Sequence, residues 1–381
     1  MYKRALQEKA LQALQQYRTL VLLGPRQSGK TTLATTLFSD FQYLSLEAPD
    51  VRAFAQADPR GFLSQYSGDL ILDEVQRTPE LLSYLQAILD DRSSKRRFVL
   101  TGSQNLLLAE RVSQTLAGRT RILHLLPLSQ REMNVNAIAA QAPLEVRLLS
   151  GGYPRIFQQG LDATDWLAQY YSTYVQRDVR SLLNIGDLDQ FDRFVRLAAG
   201  RTGQLLNLAS LGTDAGVAQP TAKAWLSVLK TSYVCFTLEP YFKNFGKRLI
   251  KSPKLYFHDT GLLCYLLRIT RPEHLQTHPL RGHILENFVI SERIKQRWNE
   301  GREAPLYFWR DTHGNEVDLV EDEAGMLEPT EIKSGATFQT DFVAGLDFLG
   351  KLQPPNRGTV VYGGETSFDF KDYRVVSWRE V

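Results

Sequence analysis

The residues best suited to chemistry begin in "GPRQSGKTT", Gly24 to Thr32, which carries the spacing Gly24-x4-Gly29-Lys30-Thr31. Glycines at these positions let backbone N–H groups turn inward around phosphate oxygens, and a following helix points its positive end at them. The loop residues Pro25, Arg26, Gln27 and Ser28, with Thr32 after the lysine, then form the cradle. Lys30 is expected to reach the β- and γ-phosphates, and the Thr31 hydroxyl to ligate Mg2+. About 45 residues on, "LILDEVQ" carries Asp73 and Glu74 after a run of buried-strand character. Asp73 suits Mg2+, usually through water, and Glu74 suits polarising an attacking water. A third run, "FVLTGSQN", ends in Ser103 and Asn105. Either can sense a γ-phosphate; Ser103 is preferred, and a helix N-cap role stays open for it. Arg119 lies between a helical stretch and the apolar strand "RILHLLPL". It suits stabilising transition-state charge in a neighbouring subunit, or capping a helix C-terminus.

A second constellation lies in the C-terminal third. "NEVDLVEDEAGMLEPTEIKSG" reads as a hairpin with an acidic turn at Glu321–Gly325. It sets Asp318 on one strand and Glu331-x-Lys333 on the next, where alternation puts residues 331 and 333 on one face. Two carboxylates can hold Mg2+, a nearby lysine can steady developing charge, and Glu286 on the preceding helix can add an oxygen. The order helix Glu, strand Asp, strand Glu-x-Lys resembles that of PD-(D/E)xK nucleases. A bare Glu-x-Lys arises about once per chain by composition. Asp369-Phe370-Lys371 has a similar form; the hairpin and the upstream Asp318 favour Glu331 and Lys333. An acidic hairpin with a salt-bridged lysine, or a retained fold with an idle site, remains an alternative.

These residues need scaffolds. Strand-like runs before Gly24, Asp73 and Ser103 call for a parallel sheet whose strand ends meet a ligand. From Pro127 to about Asn184 the pattern is helical, broken at Gly151-Gly152 and Pro154, and suits a lid; Arg155 and Arg177 are its candidate phosphate sensors. After Gly186, "LLNLASLGTDAGV" and "AQPTAKAWLSVLKTSYV" read as a helix-turn-helix, followed by two strands. Between those strands, "YFKNFGKRLIKSPK" holds Lys243, Lys247, Arg248, Lys251 and Lys254 beside Tyr241, Phe242 and Phe245, without an acid. Such a hairpin can track a phosphate backbone; a solvated wing packing its aromatics inward is the alternative. The expected layout is an α/β nucleotide-binding core over 1–126, a helical lid over 127–185, a winged helix-turn-helix over 186–265 and a nuclease-like α/β domain over 266–381.

Composition sets bounds. The 381 residues are 43% hydrophobic and 23% charged with a net charge of +3, so any nucleic-acid contact must come from local basic patches. Two cysteines without metal spacing argue against a disulfide framework and for a reducing, cytoplasmic setting. No apolar run approaches the length of a membrane span. The N-terminal "MYKRALQEKALQALQQY" lacks an apolar signal core and reads as an amphipathic helix.

"GPRQSGKTTL", "LILDEVQ", "FVLTGSQ", "LAGRT" and "LPLSQRE", with "GGYPRI" at 151–156 and "YVQRDV" at 174–179, fall in the order and spacing of a bacterial and archaeal family. The chain resembles, over essentially its whole length, AAA-type P-loop ATPases joined to a C-terminal domain of unknown function, DUF4143. The resemblance implies ATP as the nucleotide with Mg2+, and a C-terminal domain similar to the PD-(D/E)xK fold. Three readings stay open: an ATPase coupled to a nucleic-acid-directed domain, a nuclease gated by ATP, and an ATP-held switch binding a protein partner or further copies of itself.

Overall fold

The structure is a computed structural model and describes residues 2–103, 112, 114–179, 187–241, 251–352 and 358–381, without the side chains of 177–179. Two compact units emerge. The first comprises Met1–Leu128 with Thr231–Tyr233 and Arg297–Arg302; the second comprises Ser129–Lys230, Val234–Gln296 and Glu303–Val381.

The first unit is built on five strands: β1 (Thr19–Leu23), β2 (Gln42–Ser45), β3 (Leu70–Asp73), β4 (Phe98–Gly102) and β5 (Thr120–His124). They pair in parallel in the order β2-β3-β4-β1-β5. "TLVLL" and "FVLTG" are buried at every position, as strands covered on both faces must be. Parallel pairing brings the C-terminal ends of β1, β3 and β4 to one edge. There β4 separates the strand that leads into Gly24 from the strand that ends in Asp73.

Below the sheet, Ala10 and Leu14 of helix Gln7–Gln16 join Leu20, Leu22, Leu33, Phe38, Val99 and Leu123 in one core. Burial of a leucine of this kind contributes about 1.5–3 kcal/mol. The N-terminal amphipathic helix therefore belongs to the core that holds the sheet.

The second unit opens with short helices, Gln130–Val135, Leu144–Ser150, Pro154–Gln159 and Ala163–Tyr170, the last running into a π-helical stretch at Tyr171–Val179. The "GGYPRI" residues tie two of its segments together. The Gly152 N–H donates to Asp259 Oδ2 at 2.7 Å, while Asp259 Oδ1 caps helix Thr260–Leu266 at Leu262 N. Helices Leu188–Ala199, Leu208–Ala215 and Gln219–Thr231 follow, of which Thr231 is counted with the first unit.

The strands of the second unit are β6 (Cys235–Pro240), β7 (Lys254–Phe257), β8 (Leu306–Arg310), β9 (Glu316–Glu323), β10 (Met326–Lys333), β11 (Thr359–Tyr362), β12 (Phe368–Phe370) and β13 (Tyr373–Ser377). They make one mixed sheet in the order β12-β13-β11-β10-β9-β8-β6-β7. The two strands on either side of the basic run thus continue the C-terminal sheet, because β6 runs parallel to β8 through Glu239–Tyr307 and Pro240–Phe308. Between β9 and β10 the turn is tighter than the acidic segment 321–325. Glu323 already pairs with Met326, leaving Ala324 and Gly325, both with positive φ, as the two loop residues.

Both cysteines are free and buried. Among the described residues no helix is long and apolar enough to cross a membrane.

Candidate functional site

The phosphate loop follows β1 directly. Gly24 and Gly29 have φ of 154° and 99°, and Gln27 between them sits at 60°. Left-handed residues set among right-handed or turn neighbours aim successive backbone N–H groups into a concave anion nest. Gly24 is sterically required: a Cβ there would stand 2.1 Å from the Leu125 carbonyl oxygen. Lys30 opens helix Lys30–Leu37 and is buried. Its ammonium donates to the carbonyls of Gly24 and Pro25 at 2.9 and 2.8 Å, folded onto the loop that would hold a phosphate. Burial lowers its pKa, opposed by the nearby charges of Glu74 and Asp73.

Arg4, which the sequence pattern does not single out, clamps the cradle from behind. It is buried, and its guanidinium donates to the Ser28 and Leu126 carbonyls, each at 2.7 Å. The only sequence cue is a basic residue just before an otherwise amphipathic helix. Arg26 is drawn outward to Glu47 at 2.6 Å, and Thr32 is exposed.

The carboxylates arrive from β3. The Thr31 hydroxyl donates to Asp73 Oδ1 at 2.9 Å; Thr101 donates to the same oxygen, and the Tyr43 hydroxyl donates to Oδ2 at 2.9 Å. Burial, and next the Asp73 charge, push the Tyr43 phenol up to about 12, so it remains a donor. Thr31 and Asp73 set two hard oxygen donors side by side, a set suited to Mg2+. Glu74 adopts left-handed backbone geometry, φ 58°, an unfavourable state for a side chain with a Cβ, kept where surroundings over-determine it. Its backbone N–H donates to Thr101 Oγ1, and its Oε2 accepts from the Ser103 hydroxyl at 2.9 Å and from Gln76. Ser103, from the end of the intervening β4, therefore meets Glu74 directly. Asn105 lies outside the described residues.

Arg119 does not join this group. It precedes β5, whose Thr120 pairs with Thr19 at the start of β1, so it lies at the sheet edge opposite the loop. Five residues of strand, about 16 Å, separate the two edges. Its guanidinium binds Asp90 at 2.6 Å. Arg155 is exposed and bonds Gln159; the Arg177 side chain lies outside the described residues.

In the second unit the acids converge. Glu286, Glu316 and Asp318 offer carboxylate oxygens within 4.8 Å of one another. Asp318 Oδ2 accepts from the Ile332 N–H at 2.8 Å, and its carboxyl hydrogen-bonds that of Glu331. Lys333 binds Glu331 at 2.7 Å. Gly345 leaves room for Glu331, since a Cβ there would meet its Oε1 at 1.9 Å. Burial and then the Glu286 charge raise Asp318; burial and then the Asp318 charge raise Glu331, so that pair retains a proton near neutrality. Glu286 moves the other way, to about 2: burial opposes ionisation, but the Lys254 ammonium and bonds from His283, Lys254 and Tyr256 outweigh it. Glu316, two residues before Asp318 on the same strand face, is absent from the sequence reading although period-two alternation points to it. Asp369 lies on the far edge strand β12 and Lys371 in the turn beyond it, apart from this cluster.

Lys254 departs from the sequence expectation. It closes the basic run as read from sequence, yet its side chain is 3% exposed and points at Glu286 and Glu316, because it starts the edge strand β7, which is itself bridged by Thr202 and Leu205. Lys251 is exposed, and Tyr241 is buried with its hydroxyl on Asp322. Lys243, Lys247, Arg248, Phe242 and Phe245 lie outside the described residues.

A phosphate loop, a second acidic strand and an intervening strand in one parallel sheet define a P-loop ATPase of the AAA type. The AAA domain family matches residues 16–134, a domain of unknown function (DUF8612) matches 141–273, and a domain of unknown function (DUF4143) matches 281–381. An uncharacterized protein of Mycobacterium tuberculosis and one of Mycobacterium bovis are each 33% identical over 328 residues, 85% of this chain and 72% of theirs. The chain belongs to the family of AAA-type P-loop ATPases that carry a C-terminal DUF4143 domain. Among solved structures, a Walker-type ATPase of Pyrococcus abyssi is 14% identical with a TM-score of 0.47, covering 70% of this chain and 96% of that one.

Proposed function

We propose that the chain hydrolyses ATP with Mg2+ and couples that cycle to a C-terminal domain of PD-(D/E)xK-like fold directed at nucleic acid. In this reading residues 1–126 are the ATPase core, 127–185 a lid, 186–265 a winged helix-turn-helix whose two strands are shared with the C-terminal sheet, and 266–381 the rest of the nuclease-like domain. Thr31 and Asp73 hold Mg2+, which neutralises charge on the β- and γ-phosphates. Lys30 leaves the Gly24 and Pro25 carbonyls for phosphate oxygens. Glu74 takes the proton of the attacking water once Ser103 and Gln76 release it or turn with it. Arg119, on the far edge from its own loop, acts in a neighbouring copy. Lys243, Lys247, Arg248 and Lys251 follow a phosphate backbone.

The observation that carries the nucleic-acid half is the convergence of Glu286, Asp318, Glu331 and Lys333 from one helix and two strands. Asp318 and Glu331 are the residues to hold a divalent ion, since a cation can replace the proton those two carboxyls share. The test is plasmid and single-stranded DNA incubated with Mn2+, with and without ATP. Nicking that disappears in Lys333→Ala is expected; cleavage that survives Lys333→Ala, or neither binding nor cleavage, overturns the reading. A second reading has one observation in its favour, the Lys254 ammonium already seated on two of the acids. In it ATP gates a protein partner and the nuclease-like fold is idle; an oligomeric state that follows the nucleotide, without cleavage, decides for it.

A further inference from the structure

We infer that the Lys254 ammonium is the resident cation of the Glu286–Glu316 half of the acid cluster, so that this cluster takes one divalent ion, at Asp318 and Glu331, and not two. The inference rests on the proposed divalent-ion site and assigns the specificity of that site to a residue outside its motif.

The spacing of Glu286, Glu316 and Asp318 is that of a metal centre, yet two of its three members are already served. Lys254 Nζ is 2.8 Å from Glu286 Oε1 and also binds Glu316 Oε1. An ammonium has three donors and no acceptor. With two spent on carboxylates, its remaining side lies 5.4 Å from the Phe308 ring centre, a favourable face for a cation. The Tyr256 hydroxyl donates to Glu286 Oε1 at 2.5 Å, and Arg310 holds Glu316 Oε2 at 3.0 Å. His283 Nδ1 stands 3.2 Å from Glu286 Oε2.

A divalent ion entering between Glu286 and Glu316 must expel the ammonium. The side chain is 3% exposed, so it has no adjacent water to receive its charge. Leaving one partner of a buried pair uncompensated is strongly unfavourable. The other half is different. Asp318 accepts one backbone N–H and shares a hydrogen bond with Glu331, and Lys333 binds Glu331 alone. On the Asp318–Glu331 side an entering ion therefore displaces a proton shared by two carboxyls rather than a buried ammonium.

Titrating the nucleotide-free full-length chain with Mn2+, read by calorimetry and by the free-Mn2+ signal in electron paramagnetic resonance, tests this. Ions lost in Asp73→Asn are assigned to the phosphate loop. At the C-terminal cluster the wild type is expected to bind one ion, weakened at least tenfold by Glu331→Gln. Glu316→Gln should leave stoichiometry and affinity within about twofold. Lys254→Met should gain a second ion and recover thermal stability on Mn2+ addition, and Lys254→Arg should behave as wild type. Two ions in the wild type, a tenfold loss in Glu316→Gln, or an unchanged single ion in Lys254→Met overturns the inference; the Glu316→Gln arm decides even if Lys254→Met does not fold. No ion in the wild type with one gained in Lys254→Met sinks the Asp318–Glu331 site but upholds the role of Lys254. No ion in either sinks both.

Discussion

The two acid-bearing sites differ in what answers their negative charge. At the edge of the first sheet, Asp73 and Glu74 are held by neutral groups: hydroxyls of Thr31, Thr101, Tyr43 and Ser103, and the Gln76 amide. Lys30, the nearby cation, spends its donors on loop carbonyls. In the second unit, Glu286, Glu316 and Glu331 are bound by lysines. Hydroxyls and amides can rotate away when a metal and a polyphosphate arrive. Lys254, buried, cannot leave without a new counter-charge, whereas Lys333 is 36% exposed. The first site holds its acids with partners that can be exchanged, and the second brings most of its cations with it.

The sharpest way to break that contrast is Lys30→Ala. Loss of a preorganised charge aimed at transferring phosphate costs a hundredfold or more in rate. ATP turnover, measured by released phosphate, should fall by at least about a hundredfold, while Mn2+ binding at Asp318 and Glu331 stays unchanged. Equal turnover in the variant removes Lys30 from the chemistry. A smaller effect is expected behind the loop. Arg4→Ala leaves the Ser28 and Leu126 carbonyls without these donors. An unsatisfied buried acceptor costs about 1–3 kcal/mol. Nucleotide affinity and the thermal midpoint should both drop, with affinity down about thirtyfold. Arg4→Lys should recover only part, since one ammonium lacks the two-pronged reach of a guanidinium. Full affinity in Arg4→Ala would show that the loop holds its shape unaided.

The same two variants mark what the sequence makes legible. A phosphate loop is a local object: nine consecutive residues carry the turn, the nest, the lysine and the helix start. A nucleotide-binding core on a parallel sheet follows from that loop and three buried runs, and the AAA class from the family resemblance of the motifs around them. Arg4 is distant from Ser28 in sequence and meets it only because helix Gln7–Gln16 packs beneath the sheet. Likewise Asp318, Glu331 and Lys333 share one hairpin and can be read together. Lys254 and Glu316 come to them from β7 and from a neighbouring position on β9, and the lysine reads as solvated because the run around it holds no acid. Pairing between β6 and β8, which turns that lysine inward, leaves no trace in local periodicity.

The mildest expected effect separates the sites by pH. Asp318 and Glu331 have raised pKa values in the fold, Asp318 about 6 and Glu331 about 8, through burial first and then the Glu286 charge on Asp318 and the Asp318 charge on Glu331. A carboxyl whose folded pKa exceeds its unfolded value stabilises most while protonated, so its contribution is present below about pH 4 and is lost as pH rises through the folded value. Stability without divalent ions should therefore decline between about pH 4 and 8, and Mn2+ should reverse the decline by taking the place of the proton. Below the folded pKa each bound ion must displace about one proton, so Mn2+ affinity should weaken about tenfold on going from pH 7.5 to 6.5, with proton release in calorimetry that scales with buffer ionisation enthalpy. Glu286, held near 2 by Lys254, His283 and Tyr256, does not titrate in this window and adds nothing to that slope. In Glu331→Gln the shared proton is gone and the slope should flatten along with the affinity. A slope unchanged in that variant would assign the proton elsewhere and leave the Asp318–Glu331 pair without its role.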